Sequence, residues 1–415
     1  MLRTDAVCEQ VLNSHFAPGE VISDFCDGQK FSSPNSLFFK DPCALQIQLY
    51  YDELEVCNPH GSKAKKHKLG LAYYCLGNLH PKYRSSLSCI QLLFVTKYTS
   101  IEKHGYNLLF KPIVDAVLDL EKDDGVVFER DDGTEMALRG TITTFSADNK
   151  AAWSIAGFKD LGRAFRRCQF CLAVNEDMQT KFIESVFTVR SKEIYHHHCE
   201  SLGGPLHEHM ATTYGMWRNS ELNRLKYFHV TTGMVSDIMH DILEGSLELC
   251  IRHLLVEYIR QRKAFSLSTL NERIKTFTYG VDLKSKPSEL STIHPDVALK
   301  QSASQMWCLG RILPLLIGDL VEEDDENWDK FLNLLTIIDF VFAPSITPDK
   351  ADLVAVLVED FLFEFRKLYP SRNLTPKMHY TVHIPSWMKL CGPLYRVWCM
   401  RFEAKHSFLL SYSEI

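Results

Sequence analysis

The sequence predicts a mixed α/β unit in its first third and an almost wholly helical region after about residue 236. Leu45, Ile47, Leu49 and Tyr51 alternate with Gln46, Gln48, Tyr50 and Asp52, a period of two that marks a strand. Further runs rich in β-branched and aromatic residues follow at 69–76, 90–98 and 138–145. Past Ser236 the apolar residues recur every three or four positions and continue to do so to the end.

Taken in order, residues 1–43 show little periodicity and are dotted with Gly, Pro and Ser, so a poorly structured lead-in is expected there. The strand at 45–52 carries Asp52 at its end. Residues 101–120 have apolar positions at helical spacing and a charged opposite face, which predicts one amphipathic helix among the strands. The run at 138–145 leads into Asp148, a second aspartate at a strand end. Helices are then expected at 235–259, 297–317, 328–342, 349–368 and 376–390, separated by Pro, Gly or polar clusters. A last helix, from Leu394 or Arg396 onward, carries Glu403. The implied organisation is a lead-in (1–43), a strand-rich unit (44–165), a mainly helical insertion (166–390) and a closing helix (391–415). No internal repeat or low-complexity tract interrupts it.

At 415 residues, 46% hydrophobic and 24% charged, the chain has globular composition and length for one large core or several smaller ones. Met1-Leu2-Arg3-Thr4-Asp5 does not open a secretory signal, and no run approaches the ~18 uninterrupted apolar residues of a membrane span. Thirteen cysteines are an odd number in a chain too large to need stapling, so thiols or metal ligands in a reducing compartment, nucleus or cytosol, are expected. Lys plus Arg number 46 against 52 Asp plus Glu, a net charge of −6, so there is no overall basic excess with which to grip a phosphate backbone. Positive charge is local, at Lys63, Lys65, Lys66 and Lys68 and at Arg163, Arg166 and Arg167. Lys63, Lys65, Lys66, Arg166 and Arg167 are the candidate phosphate contacts, although a lysine run reads most simply as a solvated loop.

Cys168-x-x-Cys171 has metal-ligand spacing, because two thiolates on one tight turn can fill two corners of a tetrahedron. His379 and His383 lie one helical turn apart after Pro376 and offer the other two corners. The rival set is local, His196, His197, His198 and Cys199, with His207 and His209 nearby, and a third reading leaves the thiols simply buried. Asp52, Asp148 and Glu403 are of the type that hard divalent cations require, and a pair of such ions serves phosphoryl transfer. Ser236 reads as a helix N-cap, with Asp237 complementing the helix dipole in the first turn.

Several blocks together carry a family likeness. Tyr51-Asp52-Glu53-Leu54-Glu55-Val56 with Asn58-Pro59, His67-Lys68-Leu69-Gly70, Leu76-Gly77-Asn78-Leu79 and Tyr83-Arg84-Ser85-Ser86-Leu87-Ser88 form one group. Asp237-Ile238-Met239-His240-Asp241-Ile242-Leu243-Glu244-Gly245 and Trp398-Cys399-Met400-Arg401-Phe402-Glu403-Ala404-Lys405-His406 form the other. From about residue 45 to the end the chain resembles transposases of the CACTA (En/Spm, tnp2-like) type and their animal relatives. The resemblance implies an α/β ribonuclease-H-like catalytic core with a large, mainly α-helical insertion before the last catalytic acid. Asp52, Asp148 and Glu403 would then be the DDE residues holding Mg²⁺ or Mn²⁺, acting on transposon ends and target DNA, in the nucleus and as a possible homo-oligomer. Relatives tend to place Gly before the second aspartate, where this chain has Ser146-Ala147-Asp148, so Asp160 is the alternative.

The Cys and His pairs are similar to those of the catalytic subunit of the V(D)J recombinase, which implies one structural Zn²⁺ shared by Cys168, Cys171, His379 and His383. Asp237 and His240 match a recurring Asp-or-Cys, then His pattern in related transposases, which implies an accessory role beside the metal ions. Two features favour a catalytically silent, domesticated or decaying remnant acting as a DNA- or protein-binding module. The sequence runs only 12 residues past Glu403, and no N-terminal DNA-binding module is recognisable. An unrelated single-metal hydrolase ranks below both, because no HExxH-like motif is present.

Overall fold

Four strands form the sheet on which the candidate acids stand. β1 (Leu45–Glu55), β2 (Lys68–Leu76) and β3 (Gln91–Lys97) are an antiparallel meander. After the hairpin of β4 (Val126–Glu129) and β5 (Glu135–Leu138), β6 (Gly140–Ala147) joins β1 in parallel, giving the order β3-β2-β1-β6. The computed structural model describes residues 5–13, 19–55 and 68–406.

Both faces of the sheet are covered, and alternation along β1 divides its residues between two cores. Leu49 and Tyr51 face a core built with α1 (Tyr98–Leu120) and α2 (Asn149–Ile155), while Tyr50 faces the larger core of the helical region. Every residue of β6 is buried, as expected for a parallel strand covered on both sides. α1 contributes Ile101, Phe110, Val114 and Val117, with Phe110 packed edge-on against Tyr51, Phe94 and Phe145. On the far side of β6, Met234 makes a parallel bridge to Phe145 and Val235 N–H donates to the Phe145 carbonyl at 3.2 Å.

The helical region opens with α3, a continuous rod from Met239 to Gln261 whose two end segments are wound as π-helix. Ile242, Leu243, Leu247, Cys250, Ile251, Leu254 and Leu255 are fully buried along it, so this is a core helix. α4 (Ala303–Ile317), α5 (Glu326–Val341) and α6 (Pro348–Leu368) pack around it. α7 (Pro376–Tyr380) and α8 (Ile384–Cys391) return the chain to the sheet, and α9 (Cys399–Glu403) closes on β1. Among the described residues no helix is long and apolar enough to cross a membrane.

Two expectations need correction. The supposed lead-in is packed from residue 22 onward: Ile22, Phe25, Cys26, Phe31, Leu37 and Phe38 are buried in the larger core, and Ile22 bridges to Ile346. Asp24 and Arg84 form a buried ion pair, Nη1 to Oδ2 at 2.9 Å, and Gly392 at φ 78° lets the chain pass against the Asp24 carbonyl. An eight-residue helix, Asp5–Leu12, buries Cys8 and Val11, and the helices between residues 25 and 40 are four residues long or less, too short to write a helical period into the sequence. The β4–β5 hairpin was also unforeseen; its turn contains Gly133 at φ 81°, and its strands are only four residues each.

Candidate metal centres

Parallel pairing of Tyr51 with Ala147 puts Asp52, which lies inside β1 and not at the expected strand end, near Asp148 just past β6. Asp148 caps α2, accepting the Ala151 N–H at 2.6 Å, and Asp52 accepts the Glu53 N–H at 2.6 Å. α9 supplies the third acid. Phe402 stacks on Tyr50 at 4.7 Å with the rings nearly parallel, which sets Glu403 beside Asp52. Two further contacts fix α9: Ser146 Oγ donates to the Val397 carbonyl, and the Cys399 N–H donates to Asp237 Oδ1 at 2.9 Å.

The acids share one electrostatic environment. Burial pushes the Glu403 carboxyl up to about 7; the imidazole of His240 opposes that rise, while the charges of Asp52 and Asp237 add to it. Burial also raises Asp148, with the Ala151 hydrogen bond opposing and the Asp52 charge adding. The alternative acid, Asp160, is exposed and accepts the Gly162 N–H at 2.9 Å within its own turn.

Asp237 and His240 adjoin this group. His240 Nδ1 lies 2.5 Å from Asp237 Oδ2, and its Nε2 lies 3.8 Å from Glu244 Oε2 and 3.9 Å from Glu403 Oε1. Burial alone would lower the imidazole, but the hydrogen bond and charge of Asp237 outweigh it and raise His240 to about 10. For Asp237, burial is likewise outweighed, by the His240 hydrogen bond and charge, and the carboxyl is held low. The expected cap is corrected: Ser236 Oγ donates to Asp241 Oδ2 at 2.9 Å, and Asp237 itself accepts the His240 N–H at 3.2 Å.

The thiol and imidazole pairs meet although 208 and 215 residues separate the contacting partners. Cys171 Sγ lies 3.3 Å from His379 Nε2 and Cys168 Sγ 3.5 Å from His383 Nε2, and all four buried ligand atoms lie within 4.8 Å of one another. In a tetrahedron with metal bonds of ~2.3 Å to sulfur and ~2.0–2.1 Å to nitrogen, a sulfur–nitrogen edge is about 3.6 Å, so the donor set fits zinc. A second layer supports it. Glu184 Oε1 takes His383 Nδ1 at 2.6 Å and its Oε2 accepts from Ser386, while Arg190 Nε donates to the Cys168 and Cys171 carbonyls at 2.9 and 3.1 Å. Burial would raise both thiols; at Cys171 hydrogen bonds from Cys168, His379 and His383 outweigh it and hold the thiol low.

The rival ligands lie elsewhere. His198 stacks on Tyr214 at 4.1 Å, His196 packs edge-on against His229 at 5.1 Å, and neither they nor Cys199 join the group of Cys168 and Cys171. Arg166 Nη1 donates to the Leu172 carbonyl at 2.7 Å, bracing the Cys-x-x-Cys turn, and Arg167 Nε donates to the Ala164 carbonyl at 3.2 Å within the segment before it. Lys63, Lys65 and Lys66 lie outside the described residues.

Sequence reasoning missed four participants. Glu184 and Arg190 carried no signal. Asp241, fully buried, accepts Asn149 Nδ2 at 2.7 Å and is raised by burial to about 7, with the Asn149 hydrogen bond opposing. His406 could have been found from its place three residues after Glu403; its Nδ1 lies 3.6 Å from Asp52 Oδ2. No protein-family model matches the chain, and no curated protein matches it.

Proposed function

We propose that the chain is a transposon-derived DDE transposase, carrying out metal-dependent cleavage of DNA ends and strand transfer. One observation carries this reading: the parallel register of β1 and β6 puts Asp52 near Asp148, and α9 packs on β1 so that Asp52 and Glu403 feel each other's charge. The strand order β3-β2-β1-β6, with only the last strand parallel, supports a ribonuclease-H-like core, and the helical region from 166 onward supports an insertion before the last acid.

Asp52, Asp148 and Glu403 would hold two Mg²⁺ or Mn²⁺ ions. Such ions, when bound, activate the attacking oxygen and steady the leaving one. The residues themselves do the positioning. Asp148 is fixed by its cap, Asp52 by its strand, and Glu403 by the Tyr50–Phe402 stack and the pinned start of α9. No residue need become covalently attached to DNA. A structural Zn²⁺ at Cys168, Cys171, His379 and His383 would tie both ends of the insertion together, since four protein ligands leave no open position. Nuclear action on transposon ends and target DNA, and assembly as a homo-oligomer, follow from the same reading. With a net charge of −6, DNA affinity falls to local basic patches and the bound cations.

The test is nicking and strand transfer on plasmid DNA with Mn²⁺, comparing the wild type with Asp52→Asn and Glu403→Gln. Activity in the wild type and its loss in both variants is the expected result. A folded wild-type chain that binds DNA but neither nicks nor joins it would leave the silent, DNA-binding remnant as the better account.

A further inference from the structure

Two imidazoles face the acidic centre, and neither is at hydrogen-bond distance from the carboxylate it faces. The His240 ring commits Nδ1 to Asp237 at 2.5 Å, so Nε2 is the nitrogen turned toward Glu244 and Glu403, at 3.8 and 3.9 Å. His406 is buried against Tyr50 and Tyr73, with Nδ1 3.6 Å from Asp52 Oδ2 and Nε2 without a hydrogen-bond partner among the described residues.

The spacing separates two kinds of contact. A charge-assisted imidazole–carboxylate hydrogen bond closes to about 2.7–2.9 Å, as the Asp237 contact has closed fully. Donor atoms about 2.0–2.2 Å from one octahedral ion stand about 3 Å apart when adjacent and about 4 Å apart when opposite. The 3.6 to 3.9 Å separations fall in that second range. Asp237 behind His240 also repeats the Glu184–His383 pairing of the thiol site, in which a carboxylate fixes one ring nitrogen and leaves the other for a metal.

We propose that His240 and His406 are nitrogen ligands of the acidic centre, making it a mixed nitrogen and oxygen site that selects a first-row transition ion over Mg²⁺. This rests on the reading of Asp52, Asp148 and Glu403 as a divalent-metal centre. Mg²⁺ takes oxygen ligands and gives up its waters reluctantly, whereas imidazole favours later first-row ions, so each nitrogen shifts the preference away from Mg²⁺. Asp237 acts through His240 and is a positioning residue.

Mn²⁺ is the probe. It is titrated into the purified chain and followed by pulsed EPR for nitrogen hyperfine coupling, with calorimetry of Mn²⁺ and Mg²⁺ alongside. Bound Mn²⁺ in the wild type shows nitrogen coupling that weakens in His240→Gln and in His406→Gln. Each variant loses about 10-fold in Mn²⁺ affinity and much less in Mg²⁺ affinity. The two variants are independent, so a folding defect in one, seen by circular dichroism, leaves the other as the reading. Nitrogen coupling as strong in each variant, and in the doubly substituted His240→Gln/His406→Gln chain, as in the wild type would assign the ion to His379 and His383 and overturn the proposal. Mn²⁺ binding that is lost in Asp52→Asn but shows no nitrogen coupling in the wild type would overturn it while leaving the acidic centre standing. A wild-type chain that binds no Mn²⁺ would overturn both.

Discussion

Glu184, marked by no motif, is the carboxylate behind the proposed zinc site. It fixes His383 through Nδ1, so Glu184→Gln is expected to weaken zinc affinity about 10–100-fold while leaving all four ligands in place. Zinc competition with a chromophoric chelator measures it; an unchanged affinity would mean that Glu184 only packs. Asp241 gives a pH prediction with a defined sign. Its folded value of about 7 lies above the ordinary 3.8, so the folded chain holds a proton that the unfolded chain releases. The stabilisation from that proton is complete at acid pH and is lost as pH rises from about 3.8 to about 7. Asp241→Asn should flatten this loss in urea titrations across that window, and a pH dependence identical to the wild type would refute the assignment. The Cys-x-x-Cys and His-x-x-x-His spacings were legible in the sequence because ligand geometry is local. That these pairs meet each other, and not His196–Cys199, was settled by tertiary packing.

Elements long enough to write a period were legible. β1, β2, β3 and β6 fall at 45–55, 68–76, 91–97 and 140–147 against expected strands at 45–52, 69–76, 90–98 and 138–145. The helices after residue 236 also lie near their expected windows. What failed was short: the segment before β1 buries its apolar residues one or two at a time against other parts of the chain. That segment makes its own prediction. Asp24→Asn breaks the fully buried pair with Arg84 and is expected to cost about 3–5 kcal/mol, because it leaves a buried guanidinium uncompensated. Urea denaturation at neutral pH reads the loss; a cost below about 1 kcal/mol would show that the segment is not integral to the core.

At the scale of the molecule, residues far apart in sequence come onto neighbouring elements. The sheet presents Asp52 and Asp148 by register, the start of α3 and the residues just before it present Asp237, His240 and Asp241, and α9 with the turn after it brings Glu403 and His406 close to Asp52. The thiol site closes the loop between the two halves, since it joins the turn after α2 to α7 and α8. On the proposed reading, loss of zinc loosens the acidic centre as well, and Cys168→Ser is expected to lower divalent-ion affinity there along with thermal stability. Calorimetry with Mn²⁺ checks the coupling, and a variant without zinc but with unchanged Mn²⁺ affinity would show that the sites are independent. The convergence of the three acids is tested most directly by Fe²⁺-directed backbone cleavage, in which an ion bound in place of Mg²⁺ cuts the chain beside its own ligands. Cuts near residues 52, 148 and 403, suppressed by Mn²⁺ and by Asp52→Asn, are the predicted result. Cuts confined to the Cys168–His383 site, or none at all, would contradict a metal centre built from these acids.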